Sequence, residues 1–125
     1  MDRVILSGDF LCYSNSLVNA GLGYRFRVRE ESTVLPAFPI RFDDSVAAYL
    51  NICGHQNLEL DWDLGNFFNF EHKWIICATH GALFSPSTGS CVGGPCNGVS
   101  LVSLKTDESN GMIFLCDERY KLENS

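Results

Sequence analysis

Positive charge is scarce in this chain: 9 Lys and Arg stand against 15 Asp and Glu, a formal net charge of -6. A surface of that sign repels phosphate backbones and anionic headgroups, so neither nucleic acid nor membrane is an expected partner. It suits docking on a basic protein face. Long apolar runs are also lacking. The first residues set Arg3 beside Asp2 and break off their apolar run after Val4-Ile5-Leu6, too short for a signal peptide. No later stretch approaches a membrane span, and the expected location is cytoplasmic. Sustained helical periodicity is missing, which argues against helical architectures. There is no Gly-rich dinucleotide fingerprint, so direct hydride capture from a nicotinamide is excluded. Neither an internal repeat nor a linker interrupts the chain, and one domain spanning residues 1–125 is expected.

What is present reads as strands. At 46% hydrophobic and 12% aromatic residues, the chain can bury a core without staples. Tyr24-Arg25-Phe26-Arg27-Val28 alternates strictly, turning Tyr24, Phe26 and Val28 to one face. Pro39 to Phe42 and Val46 to Ile52 predict two strands around the turn Asp43-Asp44-Ser45. Phe67 to Phe70 and Trp74 to Ile76 predict a hairpin through Glu71-His72-Lys73. Val99 to Leu104 and Met112 to Cys116 predict another, across a polar loop from Thr106 to Asn110 closed by Gly111. Many short strands with close turns imply an all-β, antiparallel sandwich or small barrel. The stretch from Pro86 to Gly98 is rich in Gly and Pro and is expected to be a constrained loop wrapping a site.

The 6 cysteines, in the compartment expected, read as metal ligands or buried thiols rather than a disulfide framework. Two groups stand out: Cys53-Gly54-His55 and Cys77-Ala78-Thr79-His80, separated by residues 56–76. Each puts a thiolate and an imidazole within one turn of chain, and each follows a strand-like run. The four side chains would therefore meet at adjacent strand ends. Gly54 and Gly81 are expected to let backbone amides approach inorganic sulfide. A Cys₂His₂ zinc site is the competing reading, but zinc sites more often open with two cysteines. A trailing Gly-Pro loop has no zinc rationale either.

The ordered motifs Cys-x-His and Cys-x-x-His, followed by Gly81, Phe84, Thr88-Gly89 and Gly94-Pro95, closely resemble the Rieske family over Arg41 to Leu104. The resemblance implies a Rieske-like antiparallel β-sandwich with a cluster-binding loop subdomain at about residues 50–98. It implies a 2Fe–2S cluster as cofactor, with Cys53 and Cys77 on one iron and His55 and His80 on the other. Two ferric ions, two sulfides and two thiolates sum to zero charge when the imidazoles are neutral. An added electron therefore meets less repulsion than in a four-thiolate cluster, which raises the potential. Respiratory-complex relatives carry an extra cysteine in each ligand loop, plus a Ser and a Tyr that donate hydroxyls to cluster sulfurs. Here those positions hold Leu58 and Thr79, then Ala82 and Phe84. A potential at the low end of the Rieske range is expected.

By this resemblance the chain is a ferredoxin-like electron carrier. Its implied partners are protein: a reductase, and an oxygenase or similar acceptor. The alternatives are a non-catalytic Rieske subunit or a redox-sensing module of a larger system. No histidine follows the cluster region, so the chain supplies no mononuclear iron site of the catalytic oxygenases. His72 reads as a surface residue, and Cys12 and Cys116 as buried, inert thiols. Trp62 and Trp74 read as core or cluster surroundings, and Glu59 with Asp61 as a solvated strand face. Cys91 and Cys96 flank Val92-Gly93-Gly94-Pro95 and are close enough to bridge, although packing alone accounts for Cys91.

Overall fold

The computed structural model describes residues 9–19, 21, 25–52, 67–68, 73–77, 81–94 and 100–123. Three antiparallel sheets form them. The central sheet has five strands in the order β11-β2-β3-β4-β8: β2 (Phe26–Glu30), β3 (Thr33–Phe42), β4 (Ser45–Leu50), β8 (Ser103–Leu104) and β11 (Lys121–Leu122). A second sheet has the order β1-β10-β9, from β1 (Asp9–Tyr13), β9 (Thr106–Ser109) and β10 (Met112–Leu115). The third is β5-β6-β7, from β5 (Ile75–Ile76), β6 (Leu83–Phe84) and β7 (Cys91–Gly93). The fold class is all-β, as the sequence predicts. Among the described residues no helix is long and apolar enough to cross a membrane.

The central sheet is buried on both faces because its strands alternate two sets of apolar side chains. On β3, Phe38, Ile40 and Phe42 face one core, while Leu35 and Ala37 face the other. On β4, Ala47 and Tyr49 join the first set, and Ala48 and Leu50 the second. The first core also takes Phe67, Phe68, Ile75, Cys77, Ala82, Phe84 and Leu101; it seats the third sheet. The second takes Leu11, Ile113 and Leu115 from the β1-β10-β9 sheet. Phe67 stacks on Phe38 at 3.8 Å and 9°, and Phe68 pairs with Ile75 as an isolated antiparallel bridge. Truncating a buried ring of this kind typically costs about 3–5 kcal/mol.

Two expected hairpins differ in detail. The β3–β4 hairpin turns on Asp43 and Asp44, both at positive φ (54 and 66), and β3 starts well before the expected Pro39. The β10 hairpin corrects the sequence reading more sharply. Thr106 to Ser109 is strand β9, not a loop, and the turn is only Asn110-Gly111, with φ 54 and 75. Such paired positive φ values match the turn that fits strand twist, and Asn-Gly is its preferred pair. β9 carries Thr, Asp, Glu and Ser because it is an edge strand, where polar groups are tolerated and deter further pairing. β8, drawn from the expected partner Val99 to Leu104, pairs instead with β4, Leu104 opposite Ala48. β7 is likewise a strand inside the stretch expected to be loop.

Arg41 joins the layers. Its guanidinium donates to the carbonyls of Leu17 and Ser14, each at 2.9 Å, and to Glu108 Oε2 on β9 at 2.7 Å. That hydrogen bond, more than anything else, holds the Glu108 carboxyl below its usual range.

Candidate functional site

Of the four expected ligands, Cys77 is described; Cys53, His55 and His80 lie outside the described residues. Cys77 is wholly buried and carries a free thiol. It follows β5 at the mouth of a tight hairpin. Ile75 pairs with Phe84 and Ile76 with Leu83, and the Cys77 N–H donates to the Ala82 carbonyl at 2.9 Å. The Gly81 N–H donates back to the Cys77 carbonyl at 2.8 Å. Both ends of the 77–82 segment are thus tied by main-chain bonds. The Gly81 amide closes the hairpin on Cys77.

The surroundings of this hairpin are apolar. Ala82 and Phe84 are both fully buried, and neither brings a hydroxyl. The chain leaves β4 through Asn51, a fully buried polar residue whose N–H donates to the Pro36 carbonyl at 2.8 Å. Strand β4 therefore delivers the chain to Cys53 from the central sheet, and β5 delivers it to Cys77 from the third sheet. The two sheets share one core.

Contacts that the motif does not show hold the segment from Pro86 to Gly94. Tyr49 on β4 donates its buried hydroxyl to the Pro86 carbonyl at 2.8 Å, and burial pushes its phenol up to about 12. The turn after Pro86 is closed by Gly89 N–H to the Ser85 carbonyl at 2.7 Å, and Leu101 N–H bonds the Gly89 carbonyl at 2.8 Å. Further on, Gly94 sits at φ 79 directly against the ligand hairpin. A Cβ there would lie 2.7 Å from the Gly81 carbonyl oxygen and 2.9 Å from the Ala82 Cα. Only a residue without a side chain lets the two backbones touch. The signal for it was the Gly-Gly-Pro run; what it touches could not be read from sequence.

The remaining cysteines divide. Cys12 is buried and free, and desolvation pushes its thiol up, in line with an inert thiol. Cys116 is free but only partly buried. Cys91 is disulfide-bonded, so packing alone does not account for it. Trp74 is partly buried, while His72, Trp62, Glu59, Asp61 and Cys96 lie outside the described residues.

The donor set of the sequence, two thiols and two imidazoles, has the composition that a mixed-ligand iron–sulfur cluster requires. The described part fits it. A free, buried thiol in a hairpin closed by its own backbone is a pre-organised soft ligand, and the apolar lining keeps water from it.

Comparison with known proteins finds a matching family model and similar solved folds. A family model described as the Rieske [2Fe-2S] domain matches residues 10–106. Among solved structures, the ferredoxin of carbazole 1,9a-dioxygenase from Nocardioides aromaticivorans IC177 is similar at TM-score 0.68 and 22% identity, covering 90% of this chain and 99% of that one. A Sphingomonas yanoikuyae B1 ferredoxin is similar at TM-score 0.64 and 21% identity, covering 88% and 98%. The terminal oxygenase of carbazole 1,9a-dioxygenase from the same Nocardioides strain reaches TM-score 0.66 at 13% identity, covering 96% of this chain but 32% of its own. Comparison with curated protein sequences finds no match.

Proposed function

Since the chain belongs to the Rieske [2Fe-2S] domain family, which binds a 2Fe–2S cluster, we propose that it is a ferredoxin-type carrier passing single electrons to a protein acceptor such as an oxygenase. The observation that carries this reading is the extent of the likeness. It runs through 99% and 98% of two ferredoxin chains but only 32% of a terminal oxygenase chain. A further solved structure, a complex of reduced oxygenase and oxidized ferredoxin, matches over 95% of the chain compared, at TM-score 0.68 and 23% identity. That complex supports a protein acceptor for this chain too; a reductase as donor and a cytoplasmic setting belong to the same proposal.

In this reading the whole chain is one domain, and residues about 50–98 form its cluster-binding part. Cys53 and Cys77 hold one iron, and His55 and His80 the other. The bound cluster supplies reversible one-electron storage. The protein's part is to hold its ligands still and keep them dry. The hairpin bonds at Ala82 and Gly81 fix the main chain at Cys77, which would hold an iron through its sulfur. Phe84 and Ala82 exclude water from the thiolate side and donate no hydroxyl to it. His55 and His80 would present their second ring nitrogens outward, toward the acceptor.

The test is spectroscopic. Anaerobically purified protein should be reddish-brown and contain iron with acid-labile sulfide. On reduction it should give a rhombic low-temperature EPR signal with its average g below the free-electron value. A colourless protein holding zinc without sulfide would end this reading. Cys77→Ser and His80→Ala should each abolish the signal.

A further inference from the structure

A cavity of about 230 Å³ opens where the β3–β4 turn meets the chain at Pro86 and Ser87. Phe42, Ala47 and Pro86 line it on the apolar side, and Asp43, Ser45 and Ser87 on the polar side. Phe42 stacks on Phe68 with ring centres 6.0 Å apart, and Phe42 and Ala47 pack against the core that contains Cys77. The cavity therefore belongs to the side of the central sheet that seats the ligand hairpin. Both of its rims are held in place. Asn19 bonds Asp44 twice, Nδ2 donating to the carboxylate at 2.8 Å and Oδ1 accepting the main-chain N–H at 2.7 Å. Opposite, Tyr49 holds the Pro86 carbonyl. The space is shaped before anything enters it, which lowers the cost of binding there.

The charges around the cavity do not balance. Asp44 is engaged by Asn19, and Arg41 is spent on Glu108 and the carbonyls of Leu17 and Ser14. Among the described residues the Asp43 carboxylate has no hydrogen bond or ion pair, and neither hydroxyl of Ser45 and Ser87 has a partner. Three acceptors thus face a small space on a chain of net charge -6, a setting that draws a cation. The volume is below the roughly 300–1,000 Å³ of small-molecule sites. One carboxylate and two hydroxyls are too few for a calcium or magnesium ion, and no metal-ligand cluster occurs among the described residues. An arginine side chain fits both halves. Its planar fork gives a carboxylate two donors, and its stem lies on apolar surface.

We propose that this cavity is a docking pocket for one arginine side chain of the protein acceptor, with Asp43 receiving the guanidinium. The proposal rests on the reading of the chain as an electron carrier and names the contact by which that carrier holds its acceptor. Arginine is among the residues that anchor interfaces when seated in a preformed pocket. Asp43 is exposed, so its charge acts mainly on the rate of encounter, and salt screens it.

The experiment compares two neighbours in one turn, Asp43→Asn and Asp44→Asn, in the full chain as purified. Both remove one negative charge, and asparagine tolerates the positive φ of each position. Nα-acetyl-arginine amide, titrated by NMR, should give saturating shifts at the amides of 43–47 and Ser87. Its uncharged analogue, Nα-acetyl-citrulline amide, should give none. Asp43→Asn should weaken the arginine probe about fivefold, whereas Asp44→Asn should bind it as the parent does. The acceptor probe is cytochrome c, a basic haem protein; one electron passes to its ferric haem from pre-reduced protein freed of reductant. At low ionic strength Asp43→Asn should react about threefold more slowly than Asp44→Asn, and the difference should vanish at high salt. Equal behaviour of the two variants in either assay, or equal binding of the two small probes, would overturn the pocket and leave the carrier reading standing. Colourless protein that reduces no cytochrome c would end the carrier reading, and with it the acceptor's arginine as occupant.

Discussion

Gly94 and Gly111 share a positive φ, 79 and 75, but differ in what lies around them. Around Gly111 a Cβ would meet nothing within 4 Å, so Gly111→Ala pays only for its left-handed backbone, about 1 kcal/mol. Gly94→Ala adds a collision with the backbone of Gly81 and Ala82, which must move the ligand hairpin. Gly111→Ala should therefore lower the melting temperature by a few degrees with full iron content, whereas Gly94→Ala should lose much of its iron. Equal iron in the two variants, measured against protein, would show that the close approach is unimportant to the site. Tyr49 gives a second residue-scale test. Tyr49→Phe keeps the ring but leaves the buried Pro86 carbonyl without its donor, a loss of about 1–3 kcal/mol in chemical unfolding. Because the phenol ionises only at about 12, that donor persists across the neutral and mildly alkaline range.

Among the elements, the junction of β3 with β9 through Arg41 and Glu108 contributes a pH dependence. The Arg41 hydrogen bond holds the folded-state carboxyl of Glu108 below its unfolded value. A depressed carboxylate stabilises the fold fully above its unfolded pKa, and the contribution is lost as pH falls through the folded pKa. Glu108 is partly exposed, so the pair is worth roughly 0.5–1 kcal/mol at neutral pH. Glu108→Gln should thus melt a few degrees below the parent at neutral pH, with the gap narrowing as the buffer is made acidic. A gap that widened in acid would contradict the assignment. The same junction explains why β9 tolerates so polar a sequence. Its edge position asks for little burial, and Glu108 is held by Arg41 rather than by packing.

At the scale of the molecule, the central sheet separates two cores with different tasks. One packs β1 and β10 against it, and the other seats the hairpin that bears Cys77. The seat is aromatic and aliphatic, and the fully buried Ala82 and Phe84 contribute no hydroxyl donor. Fewer donors leave the reduced state less stabilised. The midpoint potential should fall in the lower part of the Rieske span of roughly −150 to +300 mV, below zero. Protein-film voltammetry or a dye-coupled titration measures it, and a value well above zero would mean that unseen donors compensate. Introducing one donor, Phe84→Tyr, should raise the potential by tens of millivolts, a change of order 1 kcal/mol for one hydrogen bond to a charged group.

The family and its 2Fe–2S cofactor were legible in the sequence itself. A thiol and an imidazole at fixed short spacing, twice in order, carry their meaning in the residue types, because metal coordination depends on donor atoms and local bite. The all-β class followed in the same way from period-two runs such as Phe26 to Val28, whose faces are set by neighbours along the chain. What the tertiary structure alone decided was long-range partnership. Leu104 pairs with Ala48 rather than with β10, Arg41 reaches Glu108, Tyr49 reaches Pro86, and Gly94 meets Gly81. Each of these joins segments that local preference leaves unassigned, since many pairings bury similar area and satisfy the same backbone groups. Only the simultaneous packing of both faces of one sheet selects among them.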